Sequence, residues 1–350
     1  MKLAEFDYHL PPERIAQQPA RKRDHSRLLV LSRTDGCCDH HRFYELPDFL
    51  SASDVMVVNN TRVVPARLVG RKETGGRAEI LILNFHGKGQ PADDGRRYDC
   101  LVKAAKRPRP GTRLFFDGGL KGCITATRDQ IHTIEFNYQG SLAAYLQQYG
   151  HVPLPPYIRR SDSRPPMDDD SAYQTVYARH AGAVAAPTAG FHFRPETMTE
   201  IRKKGVEIVE ITLHIGYGTF SPVRTADIRR HQMHAEWYAI PAQTAAAVNR
   251  AREQKRRILA VGTTCVRSLE FSARRDGRVH AGSGMCDLFI YPGFTFRIVD
   301  AMVTNFHLPR STLLMLVSAF AGRENIQQAY RSAVDLGYRF YSYGDAMLIR

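Results

Sequence analysis

A single tryptophan, six scattered cysteines and a shortage of acid mark this 350-residue sequence before any motif does. Cys37, Cys38, Cys100, Cys123, Cys265 and Cys286 include no Cys-x-x-Cys pair, and the adjacent Cys37 and Cys38 suit no disulfide. Neither structural zinc nor a disulfide framework is expected, and a reducing cytosol is the natural compartment. The opening Met1-Lys2-Leu3-Ala4-Glu5-Phe6-Asp7 lacks the apolar centre of a signal peptide. The longest apolar run, 313–322, is too short to span a membrane and contains Ser318. A cytoplasmic protein without membrane contact is expected. The full G-x-x-x-x-G-K-[ST] pattern is missing, so nucleoside triphosphate binding is not expected; Gly216 and Gly218 are only two glycines of a dinucleotide fingerprint. No Ser-His-Asp order is readable, and no cysteine sits in an activating motif.

What remains is basic and globular. Against 35 Asp+Glu stand 49 Lys+Arg, a formal charge of +14, which makes a polyanion a reasonable partner. A hydrophobic content of 43% is that of an ordinary folded protein, long enough for two domains or one domain with an insertion.

The chain changes texture twice. Residues 1–62 hold short apolar runs (28–31, 54–58) and a polar strand end, Asn59-Asn60-Thr61-Arg62. From 63 to 149, short alternating runs are separated by glycine turns (Gly75-Gly76, Gly87-Lys88-Gly89, Pro110-Gly111, Gly118-Gly119), the pattern of a small antiparallel β-barrel. A proline-stiffened connection from 151 to 160 and a loop at 164–170 lead back to alternating strands and helices over 180–350. The expected fold is α/β, a mostly parallel sheet with flanking helices, formed by 1–62 and 150–350, with the barrel of 63–149 inserted in it. Strands are expected at 206–213, 257–261, 288–291 and 298–304. Helices are expected at 195–204, 244–255, 265–273, 312–320 (capped by Ser311) and 325–336.

The centre of the pattern is His180-Ala181-Gly182-Ala183-Val184-Ala185-Ala186-Pro187-Thr188-Ala189-Gly190-Phe191-His192-Phe193. It reads as a buried strand turning through Pro187 to Gly190 into a helix begun by Pro195. Its small residues either admit a ligand close to the backbone or simply pack the strand against its neighbours. Other polar clusters also follow apolar runs: 59–62, 214–219, 262–267 and 305–307. In an open α/β sheet such strand ends converge on one crevice. Gly262-Thr263-Thr264 resembles a ligand site at a helix N-terminus. His231, His234 and Glu236 invite a metal reading but lack a further ligand at suitable spacing. A polar loop closing over the crevice, with Trp237 as a stacking platform, is the better account. On the barrel, Lys103, Lys106, Arg107, Arg109 and Arg113 crowd one hairpin, either as a solvated face or as a surface for RNA phosphates.

Laid side by side, these stretches resemble the S-adenosylmethionine:tRNA ribosyltransferase-isomerase family of queuosine biosynthesis. The run Asn59-Asn60-Thr61-Arg62-Val63-Val64-Pro65-Ala66-Arg67-Leu68, Pro153-Leu154-Pro155-Pro156-Tyr157-Ile158 and the central stretch carry the resemblance, with 173–178, 212–220, 231–238, 260–270, 304–319 and 338–349. It implies a β-barrel inserted in an α/β domain. It implies also that S-adenosylmethionine is a consumed substrate, with no cofactor and no metal. Its ribosyl part would pass to 7-aminomethyl-7-deazaguanine at the tRNA wobble position and isomerise to epoxyqueuosine, with adenine and methionine released. The protein would need no obligatory protein partner and act as a monomer. The sequence departs from the family pattern at Asn60 (usually Asp), Cys265 (commonly Ser), Phe191 (commonly Leu), Cys286 (usually Thr) and Tyr217 (often Ala). Position 60 therefore supplies no general base.

On this reading the proton-transfer candidates are His214, Glu236, His234 and His192, with His307 beside them. Substrate-binding candidates are Asn59, Arg62, Thr188, Gly190, Gly216, Thr263, Thr264, Arg267, Asn305 and His307. Lys106, Arg107 and Arg109 are the candidate RNA contacts. Two rival functions remain: a methyltransferase, against which the missing glycine-rich first-strand loop counts, and a non-catalytic RNA-binding protein, which leaves the clustered strand ends unexplained.

Overall fold

The computed structural model describes residues 1–83, 96–160, 168–220 and 223–350; the turn expected at 87–89 and most of the loop expected at 164–170 lie outside them. Strands β1 (Arg27–Leu31), β2 (Cys38–Arg42), β3 (Val55–Asn59) and the short β4 (Thr61–Val63) come first. Then β5 (Arg67–Lys72), β6 (Arg77–Ile82), β7 (Arg97–Ala104), β8 (Arg113–Phe116), β9 (Lys121–Arg128) and β10 (Ile131–Asn137) close into a barrel of order β10-β7-β6-β5-β8-β9. Every pairing in it is antiparallel. Alternate residues of β6 and β10 (Ala78, Ile80, Ile82; Ile134, Phe136) point into its core. Helix α1 (Leu142–Tyr149) adds Leu142 and Leu146 to that core.

The chain returns through α2 (Asp169–Ala172) and β11 (His180–Ala183), which pairs in parallel with β4. It continues through α3 (Pro195–Lys203), β12 (Glu207–Leu213), β13 (Glu236–Ile240), α4 (Ala242–Glu253), β14 (Ile258–Val261) and α5 (Thr263–Ser272). The last elements are β15 (Gly282–Cys286), β16 (Ala301–Asn305), α6 (Thr312–Ala321), α7 (Arg323–Asp335) and β17 (Ala346–Ile349). Ser311 caps α6 by accepting a hydrogen bond from the Leu314 amide at 3.2 Å.

A nine-stranded sheet runs β15-β13-β12-β3-β14-β16-β17-β1-β2. Its inner strands read as unbroken apolar runs because both faces are covered: Val55, Val57, Ile258 and Ala260 enter one core, and Met56, Val58, Leu259 and Val261 the other. The α/β class holds, yet the sheet is mixed. Strands β12, β3, β14 and β16 are mutually parallel, as are β17 and β1. Antiparallel pairs join β13 to β12, β15 to β13, β17 to β16 and β2 to β1. The strand expected at 288–291 is irregular instead. The Leu288 carbonyl accepts from Arg267 Nε at 3.0 Å rather than from a neighbouring strand, while Ile290 is buried in the main core. The sheet edge is built by β15, whose Gly282, Ser283 and Gly284 carry no apolar alternation to announce it.

Candidate active site

Leu213, Asn59, Val261 and Asn305 are the last residues of four adjacent parallel strands, so the clusters that follow them meet at one end of the sheet. Asn59 binds three of these ends together. Its Oδ1 accepts from the Leu213 and Thr61 amides (3.0 and 3.1 Å), and its Nδ2 donates to the Leu213 carbonyl and Thr264 Oγ1 (3.0 and 3.2 Å). Beside it, Asn60 accepts from Thr212 Oγ1 at 2.7 Å and donates to Glu210 at 2.8 Å.

At the end of β14, Gly262 turns the chain into α5 with φ +87°, a conformation that side chains oppose. The amides of Thr263 and Thr264 at the start of α5 have no acceptor among the described residues, and the Thr263 hydroxyl has no partner there either. They open onto a cleft of about 100 Å³, which Thr188, Thr263, Thr264, Asn305 and His307 line as the sequence pattern anticipates. His307 is buried, and its Nε2 lies 2.8 Å from Thr304 Oγ1. Burial drives its pKa down to about 3, so its ring is neutral at ordinary pH.

Among the lining residues that escaped the sequence reading are Tyr157, Tyr341 and Ser342. Tyr157 sits in what reads as a linker and Tyr341 in what reads as a tail. The signal that could have found them is that both stretches, 153–158 and 338–349, carry the family resemblance.

The remaining candidates lie outside this cleft. Glu236, at the start of β13, is buried against Arg267 in a close ion pair and accepts from the Gly216 amide at 3.0 Å. Arg267 spends the rest of its guanidinium on the carbonyls of Leu288 and Cys286 (3.0 and 3.2 Å). Burial works against its charge, but Glu236, Cys286 and Asp287 outweigh that and hold it more firmly protonated than usual. His214 places Nδ1 2.8 Å from Thr61 Oγ1 and stacks on Trp237, centroids 4.9 Å apart at 16°. The platform expected of Trp237 is thus occupied by the protein's own imidazole. His234 is exposed and rests on Gly218, while Arg62 is exposed on β4. The His231 ring packs on Phe289, and among the described residues no group of His, Cys, Asp or Glu is arranged to hold a metal.

His192 is fully enclosed. Its Nε2 accepts from Asn305 Nδ2 at 3.2 Å, which fixes the proton on Nδ1, where it is donated to Ser26 Oγ at 2.7 Å. Burial first, and then Arg339 and Arg23, push its pKa to about 3. Two glycines of the central stretch follow the packing alternative. A Cβ on Gly190 would lie 2.2 Å from the Tyr177 hydroxyl, and one on Gly182 would lie 2.7 Å from the His214 ring. Ala185 to Ala189, between them, do line the cleft. On the barrel, Lys106, Arg107 and Arg109 are exposed in the loop between β7 and β8, unpaired with any carboxylate among the described residues.

A cleft at the carboxyl ends of parallel strands, in a mixed sheet with flanking helices and a closed antiparallel barrel, defines an α/β protein with its crevice where that class carries one. The family model described as queuosine biosynthesis protein matches residues 3–349. The chain is 52% identical to the S-adenosylmethionine:tRNA ribosyltransferase-isomerase of Syntrophotalea carbinolica and 51% identical to that of Moorella thermoacetica, covering 100% of both chains in each case. The crystal structure of S-adenosylmethionine tRNA ribosyltransferase from Thermotoga maritima superposes with a TM-score of 0.55 at 37% identity, over 99% of this chain and 100% of that one. The chain belongs to the queuosine biosynthesis protein family, and with it to the transferases. No helix among the described residues is long and apolar enough to cross a membrane.

Proposed function

We propose that the cleft binds S-adenosylmethionine as a consumed substrate, and that the protein transfers and isomerises its ribosyl part onto 7-aminomethyl-7-deazaguanine at the tRNA wobble position. The products are epoxyqueuosine-tRNA, adenine and methionine. The observation that carries this reading is the cleft itself: a helix start with two unspent amides and a free hydroxyl, an aromatic flank, and a neutral histidine, in a chain with full-length relatives of that name.

The sulfonium acidifies the neighbouring 5′ hydrogens. Removal of one gives an ylide-like carbanion, the ribose ring opens, and adenine leaves with a proton. The amine of the modified base attacks, and ring closure expels methionine. His307 is the acceptor for the first proton, since among the histidine candidates it alone lines the cleft. On this reading His307 donates from Nε2–H to Thr304 Oγ1, 2.8 Å away, and acts as the base through Nδ1. The Thr263 and Thr264 amides, at the positive end of α5, suit the substrate carboxylate. Glu236 and Arg267 hold Gly216 and the 286–288 segment in place instead of touching substrate.

Incubation with S-adenosylmethionine and tRNA carrying the aminomethyl-deazaguanine, followed by mass spectrometry, tests the proposal. Free adenine and methionine with an epoxyqueuosine nucleoside are expected. S-adenosylhomocysteine as the product would make the protein a methyltransferase. Tight tRNA binding without turnover would make it a binding protein.

A further inference from the structure

Among the described residues, four other than glycine have a positive φ: Asp129, Lys255, Arg310 and Tyr341. The first three lie exposed in turns, whereas Tyr341, at φ +72°, is buried and lines the cleft. A bulky residue stays in the left-handed region only where its surroundings over-determine it. Here they do. The Tyr341 amide donates to the Phe306 carbonyl at 3.2 Å, and its own carbonyl accepts from the Gly344 amide and from Asn305 Nδ2, both at 3.0 Å. Asn305 is itself held by His192, and His192 by Ser26. This buried chain of contacts ends on one ring. That ring sits 4.7 Å from Tyr157, whose hydroxyl bonds Ser342 Oγ at 2.6 Å.

Sheet order places this corner relative to the helix start. Gly262 follows β14, Asn305 ends β16, and Tyr341 precedes β17, the next strand over. Tyr341 is hydrogen-bonded to Phe306 and Asn305 at the end of β16, so one strand spacing, about 5 Å, lies between the strand that leads into α5 and the one that holds Tyr341. One end of the cleft offers N–H groups for an anion and the other offers aromatic faces for a planar ring.

We infer that Tyr157 and Tyr341 form the subsite for the purine ring of the sulfonium nucleoside, and that Ser26, His192 and Asn305 are positioning residues that hold Tyr341 in its left-handed conformation. This rests on the proposed use of the cleft for S-adenosylmethionine. A deazaguanine base flipped out of tRNA shares the purine-like chemistry, so the test must separate the two.

The experiment measures S-adenosylmethionine binding calorimetrically without tRNA, and tRNA binding separately, for the wild type, Tyr341→Asn, Tyr341→Phe and Tyr157→Leu. Asn tolerates positive φ, so Tyr341→Asn removes the ring while sparing the turn. Tyr341→Asn and Tyr157→Leu are each expected to weaken S-adenosylmethionine at least about tenfold, as loss of a stacking ring does, with tRNA affinity unchanged. Tyr341→Phe should stay within about twofold, because the face and not the hydroxyl is used. His192→Ala should raise KM for S-adenosylmethionine with kcat preserved. Simple loss of folded protein would instead lower kcat at constant KM. Normal S-adenosylmethionine binding by both ring-deletion variants overturns the inference, and a loss of tRNA affinity in its place assigns the corner to the RNA base. Failure of the wild type itself to bind S-adenosylmethionine would strike the proposed function instead.

Discussion

Two walls stand at the same end of the same sheet, and both look chemically rich in sequence. One holds His214, Gly216, Glu236, Trp237 and Arg267; the other holds Thr188, Thr263, Thr264, Asn305 and His307. In the first, the polar capacity is consumed internally: Glu236 on Arg267 and the Gly216 amide, Arg267 on two further carbonyls, His214 on Thr61 and the Trp237 face. In the second, amides and a hydroxyl at the start of α5 are left open to a cleft. Residue type at a strand end therefore marks where a site can be, and the unspent hydrogen-bonding capacity marks which side of it meets the ligand.

The most damaging way to break this contrast is at His307. Replacement by Gln keeps a polar group of similar reach but removes the base, and turnover is expected to fall about 10²–10⁴-fold. His234→Ala, which removes an exposed ring outside the cleft, should cost less than about threefold. Steady-state adenine release measures both. Equal losses in the two variants would erase the distinction between the walls.

The opposite wall should fail in stability. Arg267→Ala strands the Glu236 carboxylate in a buried setting, and losing one partner of such a pair costs about 3–5 kcal/mol. The readout is the urea midpoint. A shift under about 1 kcal/mol would mean that water reaches the pair and that Glu236 is free for chemistry after all.

This division explains what could be read in the sequence. The alternation of strand and helix and the glycine-punctuated run announced an α/β sheet and a barrel, because period and turn chemistry are local. The convergence of Asn59, Thr263 and Asn305 followed from parallel strand ends. The mixed character of the sheet was not legible: β15 is glycine-rich, and the apolar run 288–291 is claimed by core packing and by Arg267. Nor was the ranking of candidates. Whether Glu236 faces a ligand or Arg267 depends on partners 31 residues apart in the chain, and Tyr341 joins the site through Asn305, 36 residues away. Gly182 and Gly190 illustrate the same ambiguity at single positions, since space for a ligand and space for His214 or Tyr177 demand the same residue.

A smaller effect should appear in acid. His192 and His307 are buried neutral, with pKa values near 3 against an ordinary value of 6.5. Between those limits the unfolded chain binds more protons than the folded one, so stability falls as pH drops below 6.5. At pH 4.5 each contributes destabilisation on the order of 2–3 kcal/mol. Urea midpoints at pH 7 and 4.5 should differ accordingly, and His307→Gln should remove about half of what these two histidines contribute. A base with so low a pKa also predicts that kcat/KM shows no acid limb from His307 near pH 6.5.

The smallest effect tests whether the same accounting extends to the barrel. There Arg67 is paired with Glu79 at 2.8 Å, whereas Lys106, Arg107 and Arg109 present charge with no carboxylate partner among the described residues. If unspent capacity marks the side that meets a ligand, the loop between β7 and β8 meets phosphate and the Arg67 pair does not. Affinity for tRNA should then fall steeply with salt, and each of Lys106→Gln, Arg107→Gln and Arg109→Gln should flatten the log–log slope by about 0.7–0.9. Arg67→Gln should leave the slope unchanged. A slope that responds to Arg67→Gln but ignores all three loop substitutions would place the RNA on the other face of the barrel, and would show that exposed, unpaired charge on this protein is solvation rather than recognition.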